Sequence, residues 1–316
     1  MRFSDLTTGY EFPPAPLALD AETVARYLAA TGDDNEVYWR DGALSVAPPL
    51  AVAAFSLRGM AESLALEPGS LHTGQELSFR RPVEIGERLT AQARVGASSK
   101  RRGMALLSIE LAVVDDIGEE AISGRMMVLV PAEGASGQGM EPSGPAVARE
   151  WGTDAATVPP ILYQPLTPDG IVAGGELGPL ERTPTQGVID RYALASGDHN
   201  PIHVDPAFAA RSQFGGTIAH GMLVLSYVST MLTRAFGLRW IDTGSLKVRF
   251  RNPAPSGLPV TARGTIERVE GGNSSGSGGE GDRGDGVQYA VCAVTVENAV
   301  AESLITGEAR VHISIE

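Results

Sequence analysis

Ala195-Ser196-Gly197-Asp198-His199-Asn200-Pro201-Ile202-His203 aligns without a gap on Ala30-Thr31-Gly32-Asp33-Asp34-Asn35-Glu36-Val37-Tyr38, and this match makes the chain one structural unit written twice. Further along, Phe79-Arg80-Arg81-Pro82 aligns on Phe250-Arg251-Asn252-Pro253. The offset moves only from 165 to 171 between the two matches, as one duplication with a small insertion in the second copy requires.

Outward from the repeat, each copy carries the same succession of elements. A short helix precedes the motif, over Asp20–Leu28 with Asp20 as its cap and over Thr185–Ala193. A longer helix follows, from Leu50 to Leu66 and from about Ile218 to Phe236. Its apolar residues surround most of the circumference, which predicts a helix buried inside a curved sheet. Strands close each copy: Gln75–Phe79, Arg88–Val95, Ala105–Val114 and Ala121–Val130, then Leu246–Phe250, Val260–Glu267, Val287–Glu297 and Glu302–Ile315. The expected architecture is one long helix wrapped by an antiparallel sheet, made twice.

Two stretches are too rich in Gly, Pro and Ser to pack a core. The first, from about 131 to 160, reads as a flexible linker and divides the chain into a first domain, 1–130, and a second, 161–316. The second, 271–286, interrupts a strand region and reads as a hairpin loop.

Bulk properties narrow the function. The 316 residues, 43% hydrophobic and 20% charged, suit two ordinary globular domains. Acidic residues outnumber basic ones 38 to 25, the net charge is −13, and Lys100 and Lys247 are the only lysines, which argues against nucleic acid as a partner. No stretch approaches the roughly 18 apolar residues of a membrane span, so no membrane partner and a cytoplasmic location are expected. Cys292 is the only cysteine; it excludes an intrachain disulfide and reads as core packing.

The chemistry concentrates in the second copy, where Asp198, His199, Asn200 and His203 fall within six residues and Pro201 restricts the backbone between them. An Asp and a His five apart on an irregular turn can converge on one water molecule. Thr217-Ile218-Ala219-His220-Gly221-Met222 leads into the long helix, whose first-turn N–H groups and dipole would face a developing oxyanion. Gly221 would let a ligand approach closely. Other readings of the same residues stand beside this one: turn chemistry alone for Asp198 and His203, or a metal held by Asp198, Asn200 and the histidines, although a divalent cation usually wants more convergent ligands. His72 and His312 lie outside the motifs and read as structural or exposed. Arg80, Arg81, Lys247, Arg249 and Arg251 flank strand ends, as a solvated face or as contacts to a phosphate.

Tyr192 to His203, followed by Gly216-Thr217-Ile218-Ala219-His220-Gly221-Met222, resembles the signature of the MaoC-like, R-specific (type 2) enoyl-CoA hydratases and 3-hydroxyacyl thioester dehydratases. The resemblance is close over the second copy and degraded over the first. It implies an α+β double hotdog, in which two antiparallel sheets each wrap a long central helix and pack as a pseudo-dimer. It implies a hydro-lyase acting on trans-2-enoyl or (R)-3-hydroxyacyl thioesters of CoA or acyl carrier protein. Asp198 and His203 would be the catalytic pair, and Asn200, Gly221, His220 and Met222 the substrate-binding residues, with a backbone N–H near Gly221 on the thioester oxygen. No metal and no cofactor are expected beyond the CoA or phosphopantetheine of the substrate, and the chain is expected to act as a monomer or homodimer. The first copy has Tyr38 where His203 stands and Pro48-Pro49 where His220-Gly221 stands, so it is expected to shape the acyl pocket without turning over. A hotdog thioesterase, or an idle acyl-binding subunit of a fatty-acid or polyketide synthase, are the competing functions. Acyl length, carrier and direction are not written in the sequence.

Overall fold

Where the repeat begins, the same devices build the same helix twice. In α1 (Ala21–Thr31) the Asp20 carboxylate accepts the Thr23 N–H at 2.7 Å, and in α3 (Gln186–Ser196) the Thr185 hydroxyl accepts the Val188 N–H at 3.3 Å. Both helices end on a left-handed glycine, Gly32 at φ 67° and Gly197 at φ 77°, a conformation that side chains resist. The computed structural model describes residues 2–64, 67, 69–101, 103–131, 160–271 and 287–313, with backbone alone for 60–63. Apart from their end residues, the expected linker and hairpin loop fall outside the described residues.

The first copy continues from β1 (Ala15–Ala18) and α1 through the small hairpin β2 (Trp39–Arg40) and β3 (Ala43–Leu44) to α2 (Pro49–Ser63). Its strands are β4 (Leu71–Phe79), β5 (Arg88–Arg101), β6 (Met104–Asp115) and β7 (Glu120–Pro131). The second runs β8 (Glu176–Arg182), α3, α4 (Pro201–Val204), α5 (Pro206–Arg211), α6 (Gly221–Phe236), α7 (Leu238–Thr243), β9 (Ser245–Phe250), β10 (Val260–Gly271), β11 (Gln288–Asn298) and β12 (Ser303–His312). The expected strands are all present, several longer than expected. β1 and β8 escaped the sequence reading because Pro16 and Pro179 break their alternation. Both are edge strands, where a missing N–H leaves no ladder bond unmade and discourages pairing with other chains.

Each copy makes a five-stranded antiparallel sheet, and the two join edge to edge into one of ten strands in the order β1-β5-β6-β7-β4-β9-β12-β11-β10-β8. The order reads as the same list outward from its centre, so a local two-fold passes between β4 and β9. There Glu76 pairs with Lys247, positions equivalent under the offset of 171, and Lys247 Nζ lies 2.9 Å from the Glu76 carboxylate. Tyr27 and Tyr192, equivalent under the offset of 165, face each other across the same axis at 5.9 Å between ring centroids.

The sheet curls around α2 and α6. Of the 16 residues of α6, 13 are buried, and its four buried serines and threonines stay satisfied locally: Ser226, Thr230 and Thr233 bond carbonyls one turn back, while Ser229 accepts the Trp240 indole N–H. Burying a side chain such as Leu232 contributes about 1.5–3 kcal/mol, and one continuous apolar cluster includes residues of both copies. Cys292 lies within it, its thiol pushed up to about 12 by burial. α6 begins at Gly221, later than the expected Ile218, because the preceding residues bond elsewhere: the Ala219 N–H donates to the Ala254 carbonyl at 2.8 Å.

Flanking the central strand pair, Gly124 and Gly307 occupy equivalent places, each opposite an equivalent residue, Leu77 and Val248. A Cβ would stand 2.3 Å from the Glu76 carbonyl oxygen at Gly124 and 2.2 Å from that of Lys247 at Gly307. Gly307→Ala is expected to destabilise by about 1–3 kcal/mol, read from urea unfolding against Gly178→Ala, where a Cβ meets nothing within 4 Å. Equal midpoints for the two variants would refute the packing argument.

Candidate active site

The left-handed Gly197 turns the chain out of α3 and delivers Asp198 to the surface of a cleft. Its carboxylate accepts the Asn200 N–H at 3.1 Å, and Asn200 in turn accepts the Ile202 N–H at 3.2 Å to cap α4, with Pro201 at the first helical position. His203 follows on that single turn. Two local bonds and one proline thus bring an aspartate and a histidine from the same short segment to one place.

A third residue closes the group. A carboxylate oxygen of Asp198, a ring nitrogen of His203 and a ring nitrogen of His220 lie within 4.8 Å of one another. Two hydrogen bonds of about 2.8 Å span such a gap, so one water can touch Asp198 and His203 together. The His203 and His220 rings lie 3.9 Å apart between centroids, with Tyr192 beyond His220 at 5.0 Å. The same three atoms have the donor types of a metal site. Each imidazole, however, already commits one nitrogen to a backbone carbonyl and could ligate only through the other.

Those commitments set the protons. His203 Nδ1 lies 2.8 Å from the Ile218 carbonyl, the group released by the late start of α6. A carbonyl only accepts, so Nδ1 carries the hydrogen and Nε2 the lone pair. His220 Nε2 bonds the Asp198 carbonyl at 2.9 Å in the same way, while its buried Nδ1 has no partner. Burial lowers the pKa of His203 and holds His220 down to about 3, so both are neutral at pH 7. Burial alone would raise Asp198, but His220, His203 and the Asn200 N–H together hold it below the usual carboxylate value. Its side chain is reached by water because it lines a cleft, although protein surrounds it on the other sides. A base with a free lone pair thus faces an ionised carboxylate.

The cleft opens into a cavity of about 560 Å³ lined by Asp198, Asn200, His203, Gly221 and Met222, and among the expected site residues His220 alone stands behind its wall. At the start of α6 no side chain caps the first turn, and Gly221 and Met222 of that turn line the cavity, at the positive end of the helix dipole. Gly221 has a packing reason beyond ligand approach: a Cβ there would stand 3.0 Å from the Phe250 ring. A second depression of about 700 Å³ lies over β4 to β7, where Arg94 pairs with Glu110 at 2.7 Å.

Part of the cavity wall comes from the first copy, through Ala54, Leu57 and Arg58 of α2, Leu71 and His72 of β4, and Met126 and Val128 of β7. Arg58 and His72 were not anticipated; His72 was expected to be structural or exposed. Neither belongs to a motif, and only the paired arrangement of the copies reveals them. Of the five basic residues singled out near strand ends, Arg251 lines the cavity, whereas Arg80, Arg81 and Lys247 pair with Glu120, Glu87 and Glu76.

The equivalent place in the first copy is sealed. Asp33 is 6% exposed and its carboxylate accepts from Asn35 at 2.5 Å, from the Tyr38 hydroxyl at 3.1 Å and from Thr230 of α6 at 2.9 Å. Burial raises its pKa. Residues just past the expected linker lie over it: the Ile161 N–H donates to the Asp34 carbonyl at 2.6 Å, and the Tyr163 hydroxyl donates to the Asp34 carboxylate at 3.0 Å. Arg234 pairs with Asp34 at 2.7 Å and covers the Tyr163 ring.

Comparison with known proteins gives this geometry its relatives. Residues 173–284 match the MaoC like domain, and residues 6–123 match the FAS1-like, dehydratase domain region. The 3-hydroxyacyl-thioester dehydratase Z of Mycobacterium tuberculosis is 35% identical over 134 residues, which are 39% of this chain and 82% of that protein. The 3-hydroxyacyl-thioester dehydratase X of the same organism is 26% identical over 261 residues, covering 81% of this chain and 79% of its own. Among solved structures, a MaoC-like dehydratase superposes with a TM-score of 0.71 at 18% identity over 99% of this chain and 100% of its own. A M. tuberculosis protein described as a double hotdog fold does so with a TM-score of 0.66 at 14% identity over 99% and 97%. The fold is therefore a double hotdog, and the chain belongs to the MaoC-like dehydratase family, an enzyme of the hydratase and dehydratase type.

Proposed function

We propose that this enzyme catalyses the reversible hydration of trans-2-enoyl thioesters to (R)-3-hydroxyacyl thioesters, carried on CoA or acyl carrier protein, at one active site in the second copy. The observation that carries this reading is the placement of Asp198 and His203 within reach of one water, beside the uncapped start of α6.

In the hydration direction, His203 Nε2 and the Asp198 carboxylate hold the water at the β carbon. Its oxygen bonds that carbon as the π electrons move toward the thioester carbonyl. The N–H groups near Gly221 stabilise the oxygen of the resulting enolate. The proton released by the water stays on the Asp198–His203 pair and returns to the α carbon, which restores the carbonyl. Asn200 keeps α4 in register, and His220 is a positioning residue that holds the Asp198 backbone. Met222 walls the cavity, and Arg58 and Arg251 at its exposed rim suit the phosphate of the carrier arm.

Loss of enoyl absorbance from crotonyl-CoA, without release of free thiol, is the expected signature of the wild type; thiol release in its place would identify a thioesterase. Asp198→Asn and His203→Ala should each lower kcat on the order of a hundred- to ten-thousand-fold, and wild-type rates in both would remove the pair from the mechanism. The Asp33→Asn variant should still turn over.

The pH profile follows from the directions of the shifts. The reaction needs His203 neutral and Asp198 ionised, and both groups lie below their ordinary values. Activity is thus retained as pH falls through neutrality, and the acid limb of kcat/KM should fall below about 6.5, the unperturbed histidine value. An acid limb centred above that value would contradict the assigned protonation states.

A further inference from the structure

The cavity has an exposed rim at His199, Asp198 and Arg251 and a buried floor at Met126 and Val128, 5% and 2% exposed. Between the two stands His72, supplied by the first copy. It pairs across the sheet with Val128, and its ring lies 4.7 Å from that of Phe250, which itself packs against Gly221 at the start of α6. A thioester held at Gly221 with its carrier at the rim therefore directs the rest of its acyl chain past His72 toward the floor.

The tautomer of His72 is fixed. Its Nε2 lies 3.0 Å from the Gly74 carbonyl, across a bulge in β4, so that nitrogen carries the hydrogen and Nδ1 carries the lone pair. Burial pushes the ring down to about 4, and it stays neutral through the working range. Met126 and Val128 stand across the sheet from it, and Ser70, Thr73 and Gln75 lie beside it along the chain, so His72 places a hydrogen-bond acceptor between the apolar floor and a polar stretch of wall. The opposite copy supplies the contrast. Phe79, equivalent to Phe250, is covered by Trp240 at 5.1 Å, a fully buried ring whose N–H is bonded to Ser229. A pocket for plain alkyl chains is best lined by apolar groups, since an acceptor left without a donor weakens binding.

We infer that His72 is a specificity-determining residue, and that the enzyme favours acyl chains bearing a hydroxyl group several bonds beyond the reacting carbons, which donates to His72 Nδ1. This rests on the hydratase reading above and narrows its substrate class.

The test compares trans-2-octenoyl-CoA with a set of its monohydroxylated derivatives, the hydroxyl placed at each carbon from C5 to C8. The wild type should prefer at least one derivative by about tenfold in kcat/KM, the scale of one hydrogen bond. His72→Leu and His72→Phe should reverse that order, with plain octenoyl-CoA gaining and the hydroxylated chain losing. Residual turnover of crotonyl-CoA would show that the variants fold, and the wild-type preference is decisive without them. No preference at any position in the wild type, or a preference that survives both substitutions, overturns the assignment of His72. Failure of the wild type to hydrate crotonyl-CoA would instead overturn the hydratase reading beneath it.

Discussion

Everything in the molecule depends on the pairing of β4 with β9. Each copy on its own would leave that strand as an open edge, with unmade ladder bonds and a helix only partly covered. Joining the two edges antiparallel closes one ten-stranded sheet and brings α2 beside α6. It also makes the cavity a shared object, with the turn and helix start of the second copy facing the helix and strands of the first. Gly124 and Gly307 allow the neighbouring strands to approach this seam closely, and Glu76 and Lys247 neutralise each other on its axis.

A shared cavity lets the two copies diverge. Once the second copy holds the reactive turn, the first is constrained only to keep the seam and the wall. Its own turn shows this freedom: Asp33 is retained as a buried acceptor with three side-chain donors, and Tyr38 fills with a phenol the place of the second copy's imidazole. The donors come from both sides of the seam, since Thr230 belongs to α6. The aspartate equivalent to Asp198 is here a clamp between the halves. Trp240, Ile161 and Tyr163 complete the closure on that side, while the other side retains an open rim.

Much of this was legible from residues alone. The gapless repeat predicted one unit made twice, the apolar circumference of the long helices predicted a helix inside a sheet, and Asp20 marked where the first short helix begins. The compact segment from Asp198 to His203 was legible as a place where an aspartate and a histidine converge, because its geometry is local. What stayed hidden was long-range. The strands β1 and β8 carry prolines that an edge tolerates and a sequence pattern penalises. Arg58 and His72 lie more than a hundred residues from Asp198, and no periodicity connects them to it; only the register of β4 on β9 does. The start of α6 was placed too early because Ile218 and Ala219 are apolar enough to be helical but bond to His203 and Ala254.

That late start ties the fold to the chemistry. For three of the four histidines at the cavity a backbone carbonyl fixes the proton: Ile218 for His203, Asp198 for His220 and Gly74 for His72. The first two carbonyls lie where regular structure is interrupted, before a helix and after a left-handed cap, and the third lies beside a bulge. A carbonyl consumed by a helix or ladder bond is a poorer partner, so regularising any of these places would release a ring to the other tautomer. At His203 that exchange would put the hydrogen on Nε2 and remove the lone pair on which the proposed hydration relies. The irregularities in the backbone are thus the means by which this duplicated fold assigns its protons.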